Sequence, residues 1–176
     1  VCGANTLDPV VLNASPSLAV SLVGTPSASP VSEDNTSPLW NAFVRAYQAK
    51  FPHGPSSPSI PTYGYYLNTK ATLFALEQIG AEFDEDQTNF KAALAALEFE
   101  SPTGLVYLDY NRQVIANNFV NVLDRRADGT FYNRIVETIP NVNQTLGIPE
   151  ADYLPLGSLG RDTDFESWVE KLRLPK

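Results

Sequence analysis

The apolar positions change their period once along this chain. From Pro38 to Leu97 they recur at three- and four-residue spacing, and after Gly104 they alternate. The first pattern predicts helices. One begins at Ser37-Pro38, an N-cap followed by proline at the first helical position, and carries Leu39, Trp40, Phe43, Val44, Tyr47 and Phe51 until Pro52 stops it. A second runs from near Pro61 to Ile79 with Tyr63, Tyr66, Leu67, Ala71, Phe74 and Leu76, and Gly80 closes it. A third starts near Asp84, with Gln87 in a capping-box position and an apolar stripe of Phe90, Leu94 and Leu97. The stretch HGPSSPSIP reads as a surface loop rather than a linker, because the second helix needs the first as a packing partner.

The alternating part predicts strands. LVYL is a short one; VIANNFVNVL and TFYNRIVET are longer and flank DRRADG, where Asp128-Gly129 signals a tight hairpin turn. Between LVYL and the hairpin, Asp109, Asn111 and Arg112 suit a polar corner. Before the helices, VCGAN reads as a strand end, with Gly3 permitting a sharp turn. Asp8 caps a short helix with Pro9 first. LAVSLVGT predicts an apolar strand over about Leu18 to Thr25, leading into a Ser/Pro-rich connector. A last amphipathic helix would hold Phe165, Trp168, Val169 and Leu172. The order is mixed α/β and awkward as one closed domain, since the final hairpin lacks an obvious sheet to join within the chain.

Composition narrows the function. The 176 residues are 43% hydrophobic and 18% charged, a globular mixture. A net charge of −8 disfavours a phosphate backbone as partner, because such binding rests on clustered Lys and Arg. Cys2 is the single cysteine, so no disulfide forms within the chain; beside a strand end it reads as a small buried thiol. Methionine is absent and Val1 opens directly, so the chain is expected to begin inside a larger protein.

Candidate chemistry is sparse. His53 is the lone histidine, in a loop, with no ligand cluster for a metal and no nucleophile elbow. EFDEDQ (Glu82 to Gln87) lacks the glycine and terminal glutamate of a calcium loop and reads as helix N-terminal charge. The three N-x-[ST] sequons, at Asn13, Asn35 and Asn143, match the roughly two that chance supplies at this composition. No metal, cofactor or catalytic set is expected. The cluster TYGYY at a helix start stands apart. Tyr63 and Tyr66 share a face, which suits a core, while an aromatic helix N-terminus also suits the wall of a polar or anionic ligand's pocket.

Taken in order, VCGANTLD, LVGTPSASP, WNAFVRAYQAKFP, YGYYLNTKATLFALEQIG, FKAALAALEFESPTGLVYLDYNRQ and NFVNVLDRRADGTFYNRIVETIPNVNQTLG resemble the C-terminal half of a type I periplasmic binding protein, of the leucine/isoleucine/valine-binding branch that serves ABC transporters. The resemblance spans about Val1 to Gly147. It implies an α/β fold of two three-layer lobes joined by hinge strands, and a chain that is a fragment of it, since two such lobes need on the order of 300 residues.

By this resemblance, residues 1–24 belong to the second lobe and 25–29 cross a hinge. Residues 30–112 belong to the first lobe, 113–147 return to the second as a β-hairpin, and 148–176 form a C-terminal tail. The implied ligand-binding residues are Ala4, Asn5 and Thr6 in the loop after the first strand, with Tyr63, Tyr65 and Tyr66 at the helix start. Amino-acid binders place an acid near Asn5, and an amide cannot neutralise an ammonium group, although Asp8 is near; the family's Tyr-Asp-Ala reads Tyr66-Leu67-Asn68 here. These departures point toward an aromatic or otherwise apolar acid. The resemblance further implies binding of a small amino-acid-like or aromatic acid ligand by hinge closure without chemistry, an ABC permease and a missing N-terminal half as partners, and a periplasmic or extracellular location. The alternative is a ligand-sensing domain of a receptor or regulator with the same fold. An enzyme or a freestanding structural domain fits the residues less well.

Overall fold

The computed structural model describes residues 3–145, 147–156, 164 and 170. The strand end and thiol expected at Val1 and Cys2, and the apolar face of the expected last helix, lie outside them. The chain divides into two compact units, Val1–Asn141 and Val142–Lys176.

A single 3-10 turn, Ala4–Leu7, opens the first unit and leads to α1 (Pro9–Ala14). Asp8 caps α1 as expected, its Oδ1 accepting from Val10 N at 2.9 Å. Gly3 needs no special conformation, with φ at −65°. The strand expected over Leu18 to Thr25 is instead a helix, α2 (Pro16–Leu22), and β1 follows at Pro26–Ser29. Pro16 occupies the first helical position and bars strand pairing there. Ala19 and Leu22 pack inward three residues apart while Leu18 and Val20 stay exposed. A short apolar run reads equally well as either element, and packing decided here.

α3 (Pro38–Lys50) and α4 (Ile60–Gln78) match the reading closely. Ser37 and Ser59 cap them, each Oγ accepting a main-chain N–H three residues on at 3.2 Å. α5 (Thr88–Ala95) begins four residues later than Asp84. Gln87 takes a left-handed φ of 55° and provides no cap. Asp84 and Asn89 bond to each other's main-chain N–H, at 3.1 and 3.4 Å, and hold the acidic stretch as a turn before the helix. Leu97 lies past the helix end.

β2 (Glu98–Ser101) was not foreseen; its residues alternate exposed and buried, with Phe99 and Ser101 inward. It makes a hairpin with β3 (Gly104–Leu108). Gly104 has φ 116°, and any side chain there would strike Asn117, whose amide donates to Thr103 O at 2.9 Å. The polar corner then forms around Asp109, which accepts from Arg112 N at 2.8 Å and from Gln113 N through Oδ1 at 2.8 Å.

β4 (Val114–Arg125) and β5 (Phe131–Val142) form the expected hairpin. Asp128 Oδ1 accepts from Thr130 N at 2.9 Å and Gly129 turns at φ 90°. The hairpin is not orphaned within the chain. β4 pairs antiparallel with β3 near Val114 and Ile115, and with β1 from Phe119 to Val122. The result is an open sheet in the order β1-β4-β3-β2, with β5 beside β4.

Among the described residues, two buried apolar clusters lie in this unit. Leu7, Leu12, Ala19 and Leu123 form one, joined by Leu22 and Phe131. Val31, Trp40 and Tyr63 form the other, joined by Phe43, Val44, Ile60 and Leu67. In the second unit, Asn143 Oδ1 accepts from Gly147 N at 2.9 Å and fixes the turn before α6 (Glu150–Tyr153).

Candidate functional site

The two helix starts that the sequence singled out are joined by one carboxylate. Asp8 caps α1 through Oδ1, and its Oδ2 accepts from Ile60 N, at the start of α4, at 2.7 Å. Helix N-termini carry unpaired N–H groups and partial positive charge, so one buried anion serves both. Asp8 is 5% exposed and so committed to the main chain. It is therefore not a free acid for a ligand's ammonium group.

Beside it lies a polar knot built from the residues after β1. Glu33 Oε2 accepts from Asn133 N at 2.7 Å and from Asn133 Nδ2 at 3.0 Å. That same amide also donates to Leu7 O at 2.9 Å. Asp34 Oδ2 accepts from Ile135 N at 3.1 Å, and Ser32 Oγ donates to Asn133 O. Three consecutive residues thus replace a strand along the edge of β5. Burial pushes the Glu33 carboxyl above its ordinary range; the Asn133 bonds oppose this, and the negative charge of Asp8 adds to it. Sequence reasoning passed over Ser32, Glu33 and Asp34 as connector. Their polar side chains between proline-rich turns resemble any loop, and their partners stand about a hundred residues away.

The β1–β4 ladder continues this polar seam. Ser27 faces Asn121 and Ser29 faces Phe119 in register. Ser27, Ser29 and Asn121 are buried, and Ser27 Oγ and Asn121 Oδ1 meet no partner among the described residues.

The six residues expected to bind a ligand occupy two places. Ala4, Asn5 and Thr6 sit in the opening 3-10 turn, with Asn5 and Thr6 exposed. The three tyrosines sit in the first turns of α4 but face differently. Tyr63 is 3% exposed and belongs to the aromatic cluster; its hydroxyl bonds with Ser101 and Thr103. Burial raises its pKa above the ordinary tyrosine value, against the pull of those two bonds. Tyr66 is half-buried, its ring 4.6 Å from that of Phe43, while Tyr65 is 76% exposed. Tyr65 and Tyr66 line one open groove with Leu73 and Phe74, which Lys70 borders. Lys70 lies 5.9 Å over the Tyr66 ring and donates to Glu100 O at 2.9 Å.

Among the described residues no three His, Cys, Asp or Glu side chains gather as a metal site, and no helix is long and apolar enough to cross a membrane.

Against solved structures, the chain aligns with an ABC transporter substrate-binding protein from Sphaerobacter thermophilus at a TM-score of 0.71 and 24% identity, over 79% of this chain and 36% of that one. The chain has the fold of a type I periplasmic binding protein. A solute-binding protein of an ABC transporter from Rhodopseudomonas palustris BisB5, in complex with 3,4-dihydroxybenzoic acid, aligns at 0.69 and 23% identity over 80% of this chain and 37% of that one. The leucine-, isoleucine-, valine-, threonine- and alanine-binding protein from Brucella ovis, in its closed conformation, aligns at 0.60 and 16% identity over 77% and 35%. This stretch of the periplasmic-binding-protein fold spans about a third of the length of those chains. No family model and no curated protein matches the sequence.

Proposed function

We propose that this chain is part of the solute-binding component of an ABC importer in the bacterial cell envelope. It binds a small aromatic acid between two lobes that close about hinges, and it performs no chemistry. The observation that carries this reading is the shared fold, which includes a protein holding 3,4-dihydroxybenzoic acid. The residues support it further. Residues 1–24 and 113–147 serve one lobe and 30–112 the other, with residues 25–29 as one of the crossings. The β1–β4 ladder suits a crossing: its buried face carries Ser27, Ser29 and Asn121 beside Phe119, and its main-chain bonds can persist while the lobes rotate.

In this reading Asn5 and Thr6 meet the ligand from one lobe and Tyr65 and Tyr66 from the other. Tyr63 supports them from the core. Asp8 is engaged by two helix starts and so is not a free carboxylate for an α-ammonium group, which favours an acid without one. Contact with both lobes stabilises the closed state, which a permease would recognise.

Titration calorimetry on the full-length protein tests this with benzoate, 4-hydroxybenzoate and leucine. Saturable binding of an aromatic acid is expected, with a tenfold loss on Tyr66→Ala. Tight leucine binding without any response to the aromatic acids would overturn the ligand class.

A further inference from the structure

At the start of α4 one main-chain donor is left without a partner in its own segment. Pro61 has no N–H. Thr62 N donates to Ser59 Oγ at 3.2 Å, and Tyr63 N donates to Ser59 O at 2.9 Å. That leaves Ile60 N, which donates to Asp8 Oδ2 at 2.7 Å. Asp8 needs only Oδ1 to cap α1, through Val10 N. Its second oxygen is therefore spent outside its own segment, on a side chain that is buried.

Asp8 directly follows the 3-10 turn that holds Asn5 and Thr6, and Ile60 opens the helix that carries Tyr65 and Tyr66. Under the proposed partition, Asp8 belongs to one lobe and Ile60 to the other. Ser32, Glu33 and Asp34 come directly after the crossing at 25–29, so their bonds to β5 start beside the pivot in sequence. Asp8 and Ile60 are remote from it along the chain. Parting the lobes would hand both groups to water, and bringing them together forms a short, charge-assisted hydrogen bond.

We propose that Asp8 is a latch for lobe closure, a positioning residue that holds the two halves of the ligand site together through Ile60 N without touching the ligand. This role rests on the two-lobe reading of the chain and deepens it. The latch biases the ligand-free protein toward the closed arrangement, so the ligand does not supply the whole cost of closure. Apparent affinity scales with the closed fraction, so loss of the latch weakens different ligands of the site alike.

Small-angle X-ray scattering and titration calorimetry on the full-length protein test this, with melting curves as the fold control. Asp8→Ser keeps a cap for α1 but has no second oxygen for Ile60. Ile60→Pro deletes the donor and leaves Asp8 intact; proline is tolerated at the first helical position, and Ser59 before it is already extended, with ψ 166°. Ile60→Ala keeps the N–H and controls for the lost side chain. Without ligand, Asp8→Ser and Ile60→Pro should each show a larger radius of gyration than wild type, and Ile60→Ala should match wild type. The first two should bind benzoate and 4-hydroxybenzoate about tenfold more weakly, by the same factor for both acids, and the double variant no more weakly than the weaker single one. Wild-type dimensions in whichever of Asp8→Ser and Ile60→Pro folds, or equal losses of affinity in Ile60→Ala and Ile60→Pro, overturn the latch. A wild type that binds neither acid overturns the ligand class instead, and the ligand-free dimensions still decide the latch.

Discussion

The core beneath α3 and α4 and the core beneath α1 and α2 are built from different materials. The first is aromatic: Trp40, Phe43 and Tyr63 meet edge-on or tilted with ring centroids 5.8 to 6.3 Å apart, and the Tyr63 hydroxyl is held by Ser101 and Thr103. The buried part of the second is aliphatic and small, gathered from two helices of six and seven residues, Leu7 and one residue of β4, with the half-buried Phe131 ring against it. Helices so short cannot hold their shape alone, so the second core depends on tertiary contact. Polar residues link elements of the two: Asp8, Glu33 and Asn133, with Ser27, Ser29 and Asn121 of the β1–β4 ladder beside the buried Phe119. Hydrogen bonds across such a seam are directional and can be re-formed, whereas an interdigitated apolar core resists sliding. In the proposed function such a seam lets the two lobes rotate.

Trp40→Ala breaks the comparison hardest. Trp40 is 2% exposed, and its loss should cost about 3–5 kcal/mol in urea denaturation. Leu123→Ala, at a residue that is fully buried, should cost about 3 kcal/mol from the aliphatic side. Equal responses of α-helical and tertiary signals in both variants would mean that the two cores melt as one. Asp8→Ala removes the cap of α1 and the bond to α4 together, for about 2 kcal/mol. Asp8→Asn, which keeps an acceptor oxygen, should recover part of this. Tyr63→Phe should cost about 1 kcal/mol, and in a Tyr63→Phe/Leu123→Val double variant the costs should add to within about 0.5 kcal/mol if the cores are independent.

The smallest effect is the most pH-dependent. The Glu33 carboxyl titrates above its ordinary value, so folding favours its protonated form. That contribution is complete below the unfolded pKa and is lost as pH rises through the folded one. Glu33→Gln imitates the protonated state. Its stability should equal that of wild type near about pH 4 and exceed it near about pH 7. A variant less stable than wild type at neutral pH would show that the seam needs the charge.

Much of this was legible in the chain itself. The Ser37 cap with proline behind it, the stripe through Trp40 and Phe43, the Asp128-Gly129 turn and the alternation of the last strands are local signals, complete within ten or so residues. Such signals state what a segment does wherever it is placed. The readings that failed turned on contacts that no period or cap pattern shows. LAVSLVGT became a helix because Ala19 and Leu22 found Leu12 and Leu123, and Asp84 held Asn89 and delayed α5. The tyrosine cluster, ambiguous by periodicity, was divided by packing: Tyr63 went inward, Tyr65 outward and Tyr66 between.

The sequence by itself determined element types wherever caps, turns and periods agreed, because those depend on neighbouring backbone groups. Only the tertiary structure decided which polar residues mattered. Asp8 looked like the cap of one helix and serves two; Glu33 looked like a loop residue and forms the seam. A buried charge acquires its role from the donors that surround it. Here those donors come from positions 60 and 133, which no local pattern connects to residues 8 and 33.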